Sequence, residues 1–573
     1  MAPITDDEWA DLVAHELPKT SDSVIQNYLE SRRALMAQEQ KHRSDYSFRQ
    51  ALSPIAKRAC EIVSRIRHEE TRPSAPPPSQ EMPTSWQIIR RMPKGALLRA
   101  HCHSLVDIPH LIDVALNTPG ICISCPDGNL ATQHARKEGR LRIQFRAKAD
   151  SEDGSLWGDG YAPNTYIALS KAADDYPEGG RQGFAEWLKG RRINSTQDSN
   201  LRADRGTSLA CSEVMSGMIY YEPIWRAFLQ RLMANLVEDG VYWLELRLTF
   251  PFGYYREGSE DPDPDHDHMF QAIGEEVARF QATDSGRRFW GLRVMWSTSR
   301  RHDPRSIIED ADNCISTKLL WPQLVAGYDL AGPEHLGRPL ADLLPELFWF
   351  RKQCALEDVQ IPFFLAAGGS LNDDNATAER NLFDALLLGT RRIGHAMTLH
   401  KHPRLVEAIK DKRILVETPV VSRHGPHAAS TGSGMPHSLP ILLAQGVPCA
   451  LCEDDVGIPS RQGRHGGSPA TNIFWGAFQA CDSTDLATLG SLAENSVRWS
   501  AFEDQDAEMW ARDVRAASVG AGTKAARLQQ WVVEWERFCL WVVTEYSDTH
   551  GDGEDGDADK PLTHQPPLSR SFT

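Results

Sequence analysis

Ionisable side chains of the kinds used in catalysis lie at three places in the sequence. Two places are short clusters, and the third is a single histidine that follows an apolar run. The side chains concerned are Arg99, His101, His103, His395, Glu453, Asp454 and Asp455. Histidines and carboxylates transfer protons or bind cations, whereas a guanidinium binds carboxylates and other anions. These residue types predict an acid–base site, provided that the fold brings the three places together.

Eight short apolar runs, separated by stretches of helical length, lie beside these clusters. Strand-like runs that alternate with helix-sized spacers predict an α/β protein, here a (β/α)₈ TIM barrel. In such a barrel the reacting groups lie at the C-terminal ends of the strands, which is where all three places fall. The predicted strands are Ala96–Leu98, Val241–Phe250, Phe289–Met295, Leu324–Leu330, Ile361–Ala367, Arg392–Met397, Ile414–Pro419 and Val447–Cys452.

The rest of the chain predicts further parts around the barrel. An apolar stripe at helical spacing predicts a helix before a Pro-rich break; its members are Ile55, Ala59, Ile62, Val63 and Ile66. The interval between the first two strands is too long for one crossover helix, so it must hold an insertion. The predicted parts are a helical N-terminal extension (1–71), a Pro-rich linker (72–86), the barrel (87–482, with the insertion at about 104–215), C-terminal helices (483–546) and a disordered acidic tail (547–573).

Composition narrows the class of partner. The 573 residues carry a net charge of −16, and binding to a phosphate backbone needs clustered Lys and Arg, so no nucleic-acid partner is expected. No run approaches the roughly 18 apolar residues of a membrane span, and the first residues lack the apolar core of a secretory signal. The 11 cysteines are expected to be reduced. We therefore expect a soluble, cytoplasmic protein with a small-molecule substrate and no membrane partner.

Several segments, in order along the chain, resemble the growth-factor-type adenosine deaminases and their fungal relatives, within the adenosine deaminase superfamily. The segments are MPKGALLRAHCH (92–103), SLWGDGYAPNTYI (155–167), GMIYYEPIWRAFL (217–229), GYDLAGPEHLGRPL (327–340), NLFDALLLGTRRIGHAMTLHKHP (381–403) and LPILLAQGVPCALCEDD (439–455). The resemblance implies a barrel of the metal-dependent hydrolase (amidohydrolase) type and is compatible with a homodimer. From these segments we predict that Trp157 and Glu334 bind substrate, together with His103 and Glu453.

The resemblance also implies a zinc site of four ligands, which this sequence keeps in part. His101 matches the second zinc histidine of the first strand, and Asp454 matches the zinc aspartate of the eighth, with Asp455 beside it. His395 matches the histidine after the sixth strand that orients the attacking water. The departures are Arg99 for the first zinc histidine, Ala366 for the zinc histidine of the fifth strand, Gly369 for the proton-donating glutamate and His103 for a sugar-contacting acid.

Two ligands fall short of the three that catalytic zinc sites normally use. We therefore expect no metal and predict that Arg99 pairs with Asp454 where the metal would stand. The alternative is a shifted zinc site made of His101, His103 and Asp454, because residues two apart on a strand share a face.

Three functions stay open at this point. The first is a repurposed, metal-independent enzyme that acts on a small heterocyclic or amide (C–N) metabolite and is compatible with a role in secondary metabolism. His395, Asp454 and Asp455 would be its acid–base groups, with Arg99 and His101 beside them. The second is a zinc-dependent adenosine or nucleoside deaminase with rearranged ligands, and the third is a non-catalytic binding protein.

Overall fold

The computed structural model describes most of the chain. The described residues are 4–72, 82–151, 153–197, 217–250, 253–332, 334, 337–369, 376–419, 438–452, 469–480 and 483–547. Within these ranges no helix is both long and apolar enough to cross a lipid bilayer. The predicted acidic tail beyond residue 547 and the last part of the predicted insertion lie outside them.

Helices precede the barrel, in line with the predicted extension. They are Asp6–Asp11, a π-helical turn Leu12–Glu16, Ser23–His42, Tyr46–Ala51, Pro54–Thr71 and Thr84–Arg91. Pro54–Thr71 begins where the Ser53 hydroxyl accepts a hydrogen bond from the Ala56 N–H (3.1 Å). Its buried stripe runs from Ala56 to Ile66, whereas Ile55, predicted to belong to the stripe, is exposed. This face packs against the last helix of the chain, Thr523–Tyr546.

Each of the eight predicted apolar runs overlaps a barrel strand. The strands are Gly95–His101, Val241–Leu248, Gly291–Ser299, Val325–Ala331, Ala366–Ala367, Arg392–His395, Leu415–Pro419 and Cys449–Cys452. The first four pair in chain order, as do the last four, and every pairing is parallel. A parallel bridge between Tyr328 and Phe363 joins the two sets. The architecture is the predicted (β/α)₈ barrel.

A helix covers the seam between the first and the eighth strand. Among the described residues no ladder hydrogen bond links these two strands. Instead the helix Leu486–Arg498 binds both: Asn495 donates to the Cys449 carbonyl (2.9 Å), and the Ser496 hydroxyl accepts from the Ala96 N–H (2.9 Å). The predicted C-terminal helices therefore belong to the closure of the barrel.

Helices follow the barrel strands as the fold class requires. The helix Pro304–Leu320 shows how they start, because Asp303 caps it and Pro304 occupies its first turn. The first helix of this series precedes the second barrel strand. In chain order the helices are Glu222–Glu238, Asp267–Gln281, Pro304–Leu320, Leu344–Leu356, Ala376–Leu387, Pro403–Lys412, Ser438–Ala444, Pro469–Ala480, Leu486–Arg498, Ala507–Ala516 and Thr523–Tyr546.

The insertion after the first strand forms a small unit of its own. It pairs Ile121–Ser124 antiparallel with Arg142–Phe145 on one side and with Ile167–Ala168 on the other. Its helices are Ile108–Asn117, Gln133–Glu138, Leu169–Asp174 and Gly180–Gln197. These three strands form a sheet separate from the two sets of barrel strands.

Candidate active site

Six charged side chains fill the centre of the barrel, and we call them the central charge network. All six are at most 2% exposed. They are three arginines and three carboxylates, namely Arg99, Arg247, Arg392, Glu245, Asp329 and Glu417. Equal numbers of cations and anions make the network neutral, which removes much of the cost of burying isolated charges.

Arg247, on the second strand, holds one side of the network together. Its Nε donates to Asp329 Oδ2 (2.7 Å), its Nη2 to Glu417 Oε2 (3.2 Å) and its Nη1 to the Leu98 carbonyl (2.6 Å). Arg99 shares the same two carboxylates: its Nη1 donates to Asp329 Oδ2 (3.1 Å) and lies 3.7 Å from Glu417 Oε2. Asp329 and Glu417 thus each contact both of these guanidinium groups.

Arg392, on the sixth strand, extends the network towards the C-terminal helices. Its Nε donates to Glu417 Oε1 (2.7 Å), its Nη1 donates to the Trp499 carbonyl (2.8 Å), and its Nη2 pairs with Glu245. Glu245 also accepts from the Ala501 N–H (2.6 Å). The segment that follows the helix Leu486–Arg498 therefore supplies backbone partners to the charges inside the barrel.

The neighbouring charges of the network favour the ionised forms of Asp329 and Arg392 in spite of burial. Burial alone would raise the pKa of Asp329, but the guanidinium groups of Arg99 and Arg247 outweigh it and hold that pKa below its usual value. For Arg392 burial works in the opposite direction, yet Glu245 and Glu417 keep its pKa above the ordinary range. Asp329 and Arg392 therefore stay charged at neutral pH.

Two backbone features place Arg99 in this network. The first strand has one more residue between Leu97 and Ala100 than the second strand has between their partners, Leu244 and Leu246, which is a β-bulge. On the sixth strand, a Cβ at Gly394 would lie 2.6 Å from Arg99 Nη1, so the guanidinium needs a glycine there. Bulge and glycine together lodge the cation inside the barrel.

His101 ends the first strand next to Arg99. It is buried, and it lies opposite Arg247 in the register of the two strands. Its charge, when protonated, would help to lower the pKa of Asp329. No three potential metal ligands come together anywhere in the described part of the chain.

A second group of residues lies where the fifth and sixth strands end, and we call it the rim site. Its members are Glu334, Gly368, Gly369, His395 and Ala396. His395 and Ala396 both have left-handed backbone, with φ of 70° and 45°. Hydrogen bonds hold this backbone to the fifth strand: the Ala396 N–H donates to the Ala367 carbonyl (3.0 Å), and the Met397 N–H to that of Gly368 (2.9 Å). Such strain, held by its surroundings, is common at functional sites.

Glu334 binds the turn that ends the fifth strand. Its carboxylate accepts hydrogen bonds from the N–H groups of Gly369 (2.8 Å) and Gly368 (3.2 Å) and from Asn381 Nδ2 (2.7 Å). Nearby, Arg300 donates to the Ala366 carbonyl, and burial lowers the pKa of this guanidinium although Glu334 and Asp329 oppose that shift. A buried arginine outside the central charge network thus lies next to the rim site.

The structure brings together some of the residues that the sequence singled out. Arg99 and His101 lie beside Asp329, whereas His395 and Glu334 lie at the rim site. Trp157 lies in the insertion, where its Nε1 donates to the Ala172 carbonyl (2.8 Å). Its ring packs against the aromatic side chains of Tyr176, Phe184 and Trp187.

Other predicted site residues fall outside the described part. These are the side chain of His103 and residues Glu453, Asp454 and Asp455. The pairing of Arg99 with Asp454 therefore stays a prediction, and the described partners of Arg99 are Asp329 and Glu417.

Five members of the central charge network were missed from the sequence. Each lies within an apolar run that was interpreted only as a strand; they are Glu245, Arg247, Asp329, Arg392 and Glu417. A signal was present, because a charged residue inside a strand that is buried on both faces needs a buried partner. The sequence does not say which partner, since that depends on strand order and register.

The chain is similar to curated proteins and to solved structures. No family model matches the chain. Adenosine deaminase 2 of Sus scrofa is 30% identical over 464 residues, which cover 79% of this chain and 80% of the relative. Adenosine deaminase 2 of Homo sapiens is 25% identical over 464 residues, 80% of this chain and 81% of the relative. A zinc-bound amidohydrolase structure from Burkholderia ambifaria aligns with a TM-score of 0.49 at 14% identity, covering 83% of this chain and 98% of that one.

Proposed function

Since the chain belongs to the adenosine deaminase family of the growth-factor type, adenosine deaminase 2, we propose that it is a deaminase-like enzyme that works without a metal. Its substrate would be a small metabolite with a heterocyclic or amide C–N bond. The observation that carries this proposal is the environment of Arg99, a buried guanidinium bound to two carboxylates in the centre of the barrel.

The residues present do not fit the zinc site that the family resemblance implies. A guanidinium has only N–H donors and no lone pair for a metal, and its positive charge repels a divalent cation. Ala366, on the fifth strand, has no ligating atom at all. Asp329 and Glu417 bind the Arg99 guanidinium, which packs directly against Gly394. These contacts fix the cation at the position of the missing ligand. We therefore derive no step through zinc.

The chain's own groups suggest the chemistry instead. A fixed guanidinium can stabilise developing negative charge or anchor an anionic group, as a metal ion would. Arg99 has this role in the proposal, with His101 beside it. His395 is the proton-transfer group, and Asp454 and Asp455 are its acidic partners. His103, Glu453, Glu334 and Trp157 are proposed to contact substrate.

Metal content is the first test. The full chain is dialysed against a chelator and its zinc is measured by mass spectrometry, beside the double variant Arg99→His/Ala366→His, which rebuilds two ligands. We expect well under one zinc ion per wild-type chain, with more retained by the double variant. About one ion per wild-type chain that survives dialysis would replace our proposal by the rearranged zinc deaminase.

Activity is the second test. Loss of the amino group from adenosine is followed with wild-type protein, and we expect none, because a positioned acid is worth about 10²–10⁴ in rate and Gly369 supplies none. A wider screen of small C–N metabolites compares wild type with His395→Ala. The proposal expects a chelator-insensitive activity that this change abolishes. If every activity found survives His395→Ala, or none is found, the protein is a binder instead.

A further inference from the structure

The imidazole of His395 occupies the space that any side chain at position 369 would need. A Cβ built on Gly369 would lie 2.5 Å from His395 Nδ1 and 3.2 Å from its Cγ. Real Cβ atoms essentially never approach another heavy atom closer than 3.0 Å, so the two groups exclude each other. We propose that Gly369 is the positioning residue of the site. Because Gly369 has no side chain, the His395 imidazole can occupy the space beside it and transfer protons from there. This inference rests on the proposed function.

The opposite side of Gly369 is closed as well. The same Cβ would lie 3.0 Å from Glu334 Oε1, the oxygen that accepts the Gly369 N–H. Glu334 cannot retreat easily, because its other oxygen is bound by the Gly368 N–H and by Asn381. Asn381 in turn accepts from the Leu340 N–H (2.9 Å). A side chain at position 369 would therefore have to push the imidazole aside rather than the carboxylate.

The backbone of His395 limits where the imidazole can go instead. Left-handed φ at both His395 and Ala396 is maintained by hydrogen bonds to the fifth strand. Because the Cα–Cβ direction is set by this backbone, only rotation about the side-chain torsions remains. Position 369 thus controls the direction in which the ring nitrogens point.

The steric exclusion between position 369 and His395 also predicts the effect of restoring the family's glutamate. The family resemblance places a glutamate at position 369, so Gly369→Glu would be the natural attempt to restore deaminase chemistry. In this chain the new carboxylate would displace His395 and would lie beside Glu334, where like charges repel. We expect the glutamate to inactivate the site.

Crystal structures of the full chain test the geometry. Wild type, Gly369→Ala and Gly369→Ser are compared with Gly160→Ala, a matched glycine whose added Cβ meets nothing within 4 Å. We expect the His395 ring to rotate away from its wild-type position in both variants at 369 and to stay in place in the control. An unmoved imidazole in Gly369→Ala overturns the inference. The ¹H–¹³C signal of the His395 ring, assigned with His395→Gln, gives the same answer in solution if crystals fail.

Kinetics on whichever substrate the screen identifies then test the consequence. Gly369→Ala should lower kcat by about 10²-fold or more with little change in KM, since proton transfer is lost and binding is not. Gly369→Glu should be no better. A kcat within twofold of wild type in either variant contradicts the inference. Zinc content is measured on the same samples, so failure of the metal-free proposal is seen separately from failure of this one.

Discussion

The central charge network and the rim site lie in the same barrel but differ in what holds their residues in place. In the network, six buried charges on five strands bind one another, and a β-bulge in the first strand helps to place Arg99 among them. At the rim site, two consecutive residues have left-handed backbone, and Gly369 lies next to the His395 imidazole. The first region is over-determined by its contacts, whereas the second stores strain.

This difference separates stability from function within one site. Removing a charge from the network leaves its partners buried without compensation, so folding must suffer. Under our proposal, a change at the rim site relieves backbone strain or moves the His395 imidazole, so we expect a small change in stability and a large change in activity. Arg99 is expected to affect both stability and function, because it completes the network and stands where the family resemblance implies a zinc histidine.

The largest effect is expected from Arg247→Met. Methionine fills similar volume but leaves Asp329 and Glu417 with one guanidinium less, which should cost about 3–5 kcal/mol of unfolding free energy. Urea unfolding followed by tryptophan fluorescence measures it. The matched control is Arg305→Met, which breaks an exposed pair with Glu309 and should cost under about 1 kcal/mol. Equal losses in both variants would refute the contrast between network and surface.

A smaller, pH-dependent loss is expected from Asp329→Asn. At neutral pH the change should cost about 2–3 kcal/mol, since hydrogen bonds to charged groups are lost. Because Arg99 and Arg247 hold the pKa of Asp329 below its unfolded value of about 3.9, the carboxylate stabilises the fold above that pH. Its contribution disappears as the pH falls through the lower, folded-state pKa.

The measurement is the difference in unfolding free energy between wild type and Asp329→Asn across acidic pH. We expect a constant difference from neutral pH to about pH 5, and a shrinking one below about pH 4. A difference that grows on acidification would mean that the pKa of Asp329 is raised rather than lowered.

The smallest effect is expected at the rim site, in the comparison of His395→Gly with His395→Ala. Glycine adopts a φ of 70° without cost, whereas alanine pays about 1 kcal/mol there, so the glycine variant should be the more stable by that amount. Thermal unfolding of the two variants side by side gives the difference. If the alanine variant is as stable as the glycine variant, the backbone at position 395 is not strained. The rim site would then not differ from the network in backbone strain.

The sequence was most informative where one pattern decides the structure. Apolar runs such as 241–250 and 414–419 become strands because they are buried on both faces, whichever strand lies beside them. The limits were less accurate: the first strand extends to His101 instead of ending at Leu98, and the ladder of the fifth is confined to Ala366–Ala367. Strand ends depend on hydrogen bonds with neighbours, which a single sequence does not contain.

The candidate site was predictable only in its list of unusual residues. Arg99, Ala366 and Gly369 stood out because each departs from a family motif, and no structure was needed to notice them. Their partners could not be found in that way, since Asp329 and Glu417 reach Arg99 from strands more than 200 residues further along the chain. The exclusion between Gly369 and His395 likewise depends on two strand ends meeting.

What the sequence determined by itself, then, is the fold class, the family and the positions at which this chain departs from it. These follow from local patterns of hydrophobicity and from motifs a few residues long. Only the tertiary structure decided that Arg99 joins a neutral network of six buried charges and that Gly369 makes room for His395. The physical reason is that ion pairing and steric exclusion act through space, between residues that only the packing of the barrel brings within a few ångströms.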